Sequence, residues 1–126
     1  MSVTLTTNAR NGACNGVVDL ADVSGPGHLK IYTTGLGTLL ADITLSNPAF
    51  GASATGVATL LGVPKEDTSA DNSGTAAEFK IEDGAAAEVL RGSVGTSGQD
   101  INLNTTTITV LDTVSITDFT VTMPAT

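Results

Sequence analysis

The sequence predicts a mainly β fold: an antiparallel β-sandwich or barrel of about eight short strands, with one short N-terminal α-helix. Three observations carry this. Apolar and polar residues alternate in several separate runs, most clearly in Ala77-Glu78-Phe79-Lys80-Ile81-Glu82. Turn-forming residues divide those runs at intervals of about 8–12 residues. Only one stretch has helical spacing, through Ala9, Ala13, Val17, Leu20 and Ala21.

In chain order, residues 1–7 read as an extended arm. Ser2, Val3, Thr4, Leu5, Thr6 and Thr7 include β-formers suited to adding a strand to a neighbouring subunit. Residues 8–22 read as the helix, with Thr7 as its N-cap. Gly12 and Gly16 lie inside it. Each costs about 1 kcal/mol against alanine, so packing must hold the helix, and the pair offers a smooth face for close approach. Ser24-Gly25-Pro26-Gly27 stops it.

The β body is expected over residues 28–123. Leu29 and Ile31 alternate with Lys30 and Tyr32. Leu39, Ala41, Ile43 and Leu45 follow across a Gly35-Leu36-Gly37 hairpin loop. Ser46-Asn47-Pro48 breaks the pattern, and Phe50 reads as a plug in a packed loop. Val57 to Val63 reads as a strand, and Pro64 to Gly74 as an exposed, mobile loop rich in turn formers and charge. Asp83-Gly84 marks a hairpin after the Ala77–Glu82 run. Glu88 to Val94 returns, with Gly92 as a candidate bulge. Ile101 and Leu103 alternate with Asp100, Asn102 and Asn104. Ile108, Val110, Val114 and Ile116 keep even phase, whereas Phe119, Val121 and Met123 are odd. That flip near Thr117-Asp118 requires a bulge or a strand that crosses between sheets.

With 126 residues the chain fits one domain. Aromatic residues are 3% of it and Trp is absent, so the core falls to Val, Ile and Leu. Charged residues are 14%, well below the ~25% of an average soluble domain. Thr, Ser and Asn supply the polar surface, which suits either ordinary outer sheet faces or surfaces buried in an assembly. The net charge of −8 and the pI of about 4.1 argue against direct nucleic-acid binding. Arg10, Lys30, Lys65, Lys80 and Arg91 look scattered, with no basic patch. The one cysteine, Cys14, has no internal disulfide partner, which suits a reducing cytoplasm. No signal peptide is read at the N-terminus, and no apolar run nears the ~20 residues of a membrane span.

Tests for chemistry point away from catalysis, and no catalytic, cofactor-binding or metal-binding residue is assigned. His28 opens a strand after a turn and reads as surface packing rather than a general base. Cys14 reads as a buried structural thiol. Glu66, Asp67 and Asp71 fall in the expected loop, and Glu82 with Asp83 at a hairpin tip, where solvent keeps carboxylates ordinary. Asp100, Asn102 and Asn104 match the opening of a calcium loop. Thr105 then replaces the required glycine, and Leu111 the bidentate glutamate. Strand alternation explains the same spacing. A carbohydrate- or calcium-binding β-sandwich module is therefore the alternative from a different functional class.

Several segments together carry a resemblance. These are Leu5-Thr6-Thr7-Asn8-Ala9-Arg10-Asn11-Gly12-Ala13, Leu29-Lys30-Ile31-Tyr32 and Leu39 through Gly51. Gly92 through Asn104 and the closing Val114 through Thr122 complete the set. In this order they resemble small structural proteins of tailed bacteriophages and prophages, across nearly the whole chain. The loop after Tyr32 is shorter than in that group. The resemblance implies a non-enzymatic virion protein made in the bacterial cytoplasm. A capsid decoration (cement) protein on the major capsid protein lattice is the first expectation, and a neck or tail accessory protein the second. Its partners would be virion proteins and further copies of itself, with no membrane.

Overall fold

The structure, a computed structural model, describes residues 3–125. It is mainly β with one N-terminal helix, as the alternation predicts. The helix, α1 (Thr7–Val18), starts one residue earlier than expected. Thr6, not Thr7, has extended backbone and accepts the Ala9 N–H on Oγ1 at 3.2 Å. A 3-10 turn (Asp19–Asp22) continues it.

The helix also faces differently from its apolar spacing. Cys14, Val18 and Ala21 are buried, while Ala9, Ala13 and Leu20 face solvent. The reason is polar. Arg10 Nε donates to Met123 O at 2.9 Å, and Asn11 Oδ1 accepts Gly56 N–H at 2.8 Å. Asn15 Oδ1 accepts Ser53 N–H at 2.9 Å, and the Cys14 thiol points at Val121 O. The inward face thus satisfies backbone groups of two distant segments as well as burying apolar atoms.

Gly12 and Gly16 do not mediate a close approach. A Cβ at either would meet nothing within 4 Å. Gly12→Ala and Gly16→Ala should therefore each raise the unfolding free energy by about 1 kcal/mol in urea titrations, through helix propensity alone.

The strands are β1 (His28–Tyr32), β2 (Leu39–Thr44), β3 (Val57–Thr59), β4 (Lys65–Asp67), β5 (Gly74–Thr75) and β6 (Glu78–Glu82). They continue with β7 (Glu88–Gly95), β8 (Ile101–Asn102), β9 (Thr107–Ile108), β10 (Val114–Ile116) and β11 (Thr120–Thr122). A five-stranded sheet in the order β2-β1-β6-β7-β8 curls into a half-barrel. Its pairings are antiparallel except β7 with β8. Three two-stranded pairs, β10-β4, β11-β3 and β5-β9, close around it.

The phase flip at Thr117-Asp118 falls where the chain leaves β10, paired to β4, and enters β11, paired to β3. Of the two alternatives the flip allowed, a bulge or a change of sheet, the structure has the change of sheet. Val110 departs from the expected phase: it sits in a turn and is exposed.

The core lies inside the half-barrel. Leu29, Ile31, Ile43, Phe79, Ile81 and Ile101 are among its fully buried side chains. All three phenylalanines meet there. The Phe119 ring stands edge-on to Phe79 at 5.2 Å and to Phe50 at 5.9 Å between centroids.

Two further expectations are corrected. Residues 64–74 are mostly exposed, as expected, but they are not irregular throughout. They hold β4, and Ala70 is buried, its N–H donating to Asp112 O and its O accepting Leu111 N–H. Asp71 N–H bonds Leu40 O, so backbone bonds that composition does not reveal pin the segment. The bulge between β6 and β7 is at Val89, not Gly92, because Ile81 pairs with Leu90 and Glu82 with Glu88. Gly92 has another role: a Cβ there would lie 2.6 Å from Asp100 Oδ2 and 2.7 Å from the Phe79 ring.

Candidate functional site

The largest assembly of ionisable groups lies on the outer face of the half-barrel. Leu29, Ile31, Phe79 and Ile81 turn inward, so His28, Lys30, Tyr32, Glu78, Lys80 and Glu82 turn outward. Antiparallel pairing sets them in rows. Asp42, Lys30, Lys80 and Arg91 lie side by side on β2, β1, β6 and β7. Three cations that look scattered in sequence therefore share one row, a correction to that expectation. They still form no open basic patch, because the flanking rows place Glu82, Glu88 and Glu78 beside them.

Glu82 is the second correction. It lies on the last residue of β6 with only 5% exposure, not at a solvated hairpin tip. Its Oε1 is 2.7 Å from Lys30 Nζ and its Oε2 is 2.8 Å from Lys80 Nζ. Burial pushes the carboxyl up, but the hydrogen bonds from Lys30 and Lys80 together outweigh it and hold Glu82 below the ordinary 4.5. The same bonds raise both lysines. Lys80 Nζ also lies 5.5 Å from the centre of the Tyr32 ring. The signal for this triad was cross-strand register, which no local sequence window contains.

His28 is half-buried at the edge of the same face. Its Nδ1 lies 2.8 Å from Asp42 Oδ1, and the carboxylate can only accept. Beside it is a hollow of about 150 Å³, lined by Lys30, Asp42, Glu82 and the turn after β6. That is below the ~300 Å³ at which substrate pockets begin. Among the described residues, no hydroxyl or thiol is hydrogen bonded to His28.

The remaining sequence candidates are dispersed. Asp67 is half-buried and accepts Asp42 N–H at 3.0 Å and Ser69 N–H at 2.9 Å, while Glu66 and Asp71 face solvent. Asp83 Oδ1 accepts Ala85 N–H and Ala87 N–H, fixing the turn between β6 and β7. Asp100 Oδ2 accepts the Ser93 N–H and hydroxyl, and Asn102 Oδ1 accepts Gln99 N–H. These bonds close the short loop behind the parallel β7-β8 pair. Asp100, Asn102 and Asn104 are exposed, alternating with buried Ile101 and Leu103. Among the described residues, no three His, Cys, Asp or Glu side chains are grouped to hold a metal. Cys14 is fully buried.

The expected arm is shorter than seven residues. Thr6 caps the helix and Thr7 begins it, which leaves Val3, Thr4 and Leu5. Ser2 lies outside the described residues. Val3 is 78% exposed, and Leu5 N–H donates to Ala125 O at 2.7 Å. The described part of the arm therefore leaves the body beside the last strand. Among the described residues no helix is long and apolar enough to cross a membrane.

Several polar side chains of this small β domain are bonded to its own backbone or to one another, as at Asn11, Asn15, Glu82, Asp83 and Asp100. No family model matches the chain, and no curated protein or solved structure matches it.

Proposed function

We propose that this chain is a non-enzymatic structural protein of a bacteriophage virion, a capsid decoration protein that binds the major capsid protein lattice and other copies of itself. The observation that favours a non-catalytic role is the commitment of its ionisable groups. Glu82 is held by two lysines, His28 by Asp42, Asp100 by Ser93 and Asp83 by its own turn. A partner alone does not rule out proton transfer, since an Asp often orients a catalytic His, but His28 opens on a hollow of only about 150 Å³ and no described hydroxyl or thiol is hydrogen bonded to it. The phage reading rests on the resemblance carried by Leu5–Ala13, Leu39–Gly51 and Gly92–Asn104. Acidity supports it in part, because net charge of one sign keeps a crowded outer surface soluble.

The test is a count of copies per purified particle by quantitative mass spectrometry. On the order of hundreds of copies is expected for a lattice-bound protein. A count matching a single ring would move the chain to the neck or tail, and absence from particles would overturn the virion reading. Among the described arm residues Val3 and Thr4 are left to pair with a neighbour, because the Leu5 N–H is taken by Ala125 O. Deleting residues 1–5 should reduce occupancy, and full occupancy would remove the arm from the contact.

A further inference from the structure

Gly12 and Gly16 weaken α1, and no contact explains them. A Cβ at either would stand in open space, so alanine would fit and would make a better helix. Gly84 is the opposite case: a Cβ there would collide with the Ser24 carbonyl oxygen, so packing demands glycine. What Gly12 and Gly16 share is the residue before them. Of the seven asparagines in the chain, only Asn11 and Asn15 precede glycine. These two are also the asparagines that fasten the helix to the body.

The fastening holds one turn. Asn11 Oδ1 accepts Gly56 N–H at 2.8 Å, and Asn15 Oδ1 accepts Ser53 N–H at 2.9 Å. Ser53 Oγ donates to Asn11 O at 2.8 Å. Within that turn Thr55 has φ at 49° and Gly56 at 78°. Positive φ is unfavourable for a β-branched residue, so the helix helps to hold a turn that its own sequence disfavours.

An asparagine followed by glycine carries a chemistry of its own, and asparagine is accordingly among the thermolabile residues. The glycine nitrogen attacks the asparagine Cγ, unhindered by any side chain of its own. A new C–N bond closes a five-membered succinimide, and the side-chain nitrogen leaves as ammonia. Water then opens the ring. Opening at the side-chain carbonyl gives aspartate. Opening at the main-chain carbonyl gives isoaspartate, whose backbone runs through the former side chain. The sum is asparagine and water to aspartate or isoaspartate and ammonia, with no oxidation or reduction.

The docked helix blocks this attack twice. Gly12 and Gly16 lie beyond its first turn, so their N–H groups are bonded within the helix, and helical backbone angles hold each nitrogen away from the preceding Cγ. The two carboxamides are meanwhile held by Gly56 and Ser53. The block lasts only while the helix stays docked. α1 has no acidic residue in its first turn and no basic one in its last, so beyond the Thr6 cap its support comes from the body.

We propose that Asn11-Gly12 and Asn15-Gly16 are deamidation sites that open only when α1 detaches, and that the isoaspartate formed there keeps it detached. Aspartate at either position would still accept the Ser53 or Gly56 N–H. Isoaspartate adds a methylene to the main chain, breaks the helical register and draws the carboxylate away from its partner. The helix thereby becomes a one-way release, and its departure uncovers Val121 O and Met123 O, which Cys14 and Arg10 now bond. The inference concerns the helix alone and does not depend on the virion reading.

The purified chain is incubated at mildly alkaline pH, native and in urea. Conversion is followed by peptide mass mapping, and isoaspartate by methyltransferase labelling. Asn11 and Asn15 should convert before any other asparagine, and about tenfold or more slowly in the native chain than in urea, because a docked helix opens only part of the time. Thr6→Ala removes the cap and touches neither pair. It should speed native conversion about fivefold, the opening equilibrium that a lost N-cap implies, and leave the rate in urea unchanged. Gly16→Ala in urea should slow Asn15 and leave Asn11 fast. The isolated isoaspartyl chain should exchange its α1 amides rapidly while the five-stranded sheet stays protected. Equal rates in the native and unfolded chain overturn the proposal, as does a native chain that never converts. So does a Thr6→Ala variant that converts at the wild-type rate when native, or an isoaspartyl chain whose helix remains protected.

Discussion

Phe119→Ala is expected to lower the unfolding free energy by about 4 kcal/mol, read from the midpoint shift in urea at unchanged slope. Phe119 is 5% exposed and is the only ring that touches both others, with edge-on contacts to Phe79 and Phe50. Truncation removes its buried area, leaves a void between the half-barrel and the segment leading into β11, and breaks two aromatic contacts worth about 0.5–1.5 kcal/mol each. A domain of this size has about 5–15 kcal/mol in all, so the loss takes between about a quarter and most of its stability. Phe119→Leu keeps much of the volume and should recover more than half of the loss. A cost below about 1 kcal/mol for Phe119→Ala would mean that the site collapses around the gap and that the rings do not organise the core.

Glu82→Gln is the second large effect, at about 2–3 kcal/mol. Breaking a fully buried ion pair costs about 3–5 kcal/mol, and the lower figure allows for water at the lysines. Their side chains are 21% and 22% exposed, against 6% for Glu82. The variant leaves Lys30 and Lys80 directly opposite each other with no anion between them. The pH dependence follows from the directions of the shifts. The Glu82 carboxyl is lowered in the fold, so its contribution is complete above the ordinary 4.5 and is lost as pH falls through the folded value. The two lysines are raised, so their contribution is complete below the ordinary 10.5 and is lost as pH rises through their folded values. The stability difference between wild type and Glu82→Gln should therefore form a plateau near neutrality and close in acid. A difference that persists unchanged at pH 2 would show that the carboxylate charge is not its source.

The parts of the fold that were legible in sequence are those fixed by nearest neighbours. Leu29-Lys30-Ile31-Tyr32 and Phe79-Lys80-Ile81 announce their faces because a strand alternates regardless of its partner. Thr117-Asp118 announces a bulge or a change of sheet because the phase cannot shift along an unbroken strand, and the structure has the change of sheet. What was not legible depends on partners distant in sequence. The inward face of α1 includes Arg10, Asn11 and Asn15, which an apolar count assigns to solvent, because their partners are Met123, Gly56 and Ser53. Glu82 looks like a turn acid until β1 and β6 bring Lys30 and Lys80 beside it. Residues 64–74 look mobile because Ala70 and Asp71 are held through backbone atoms, which carry no compositional signature.

The anchoring of α1 has a consequence for how the molecule comes together. Its tethers run to Ser53 and Gly56 and, more than a hundred positions away, to Val121 and Met123. A short helix carrying two interior glycines holds little structure alone in water. The helix therefore gains its support only when the segments around β3 and β11 are brought beside it. Such long-distance closure slows folding, because the loop must be drawn shut before its contacts repay the cost.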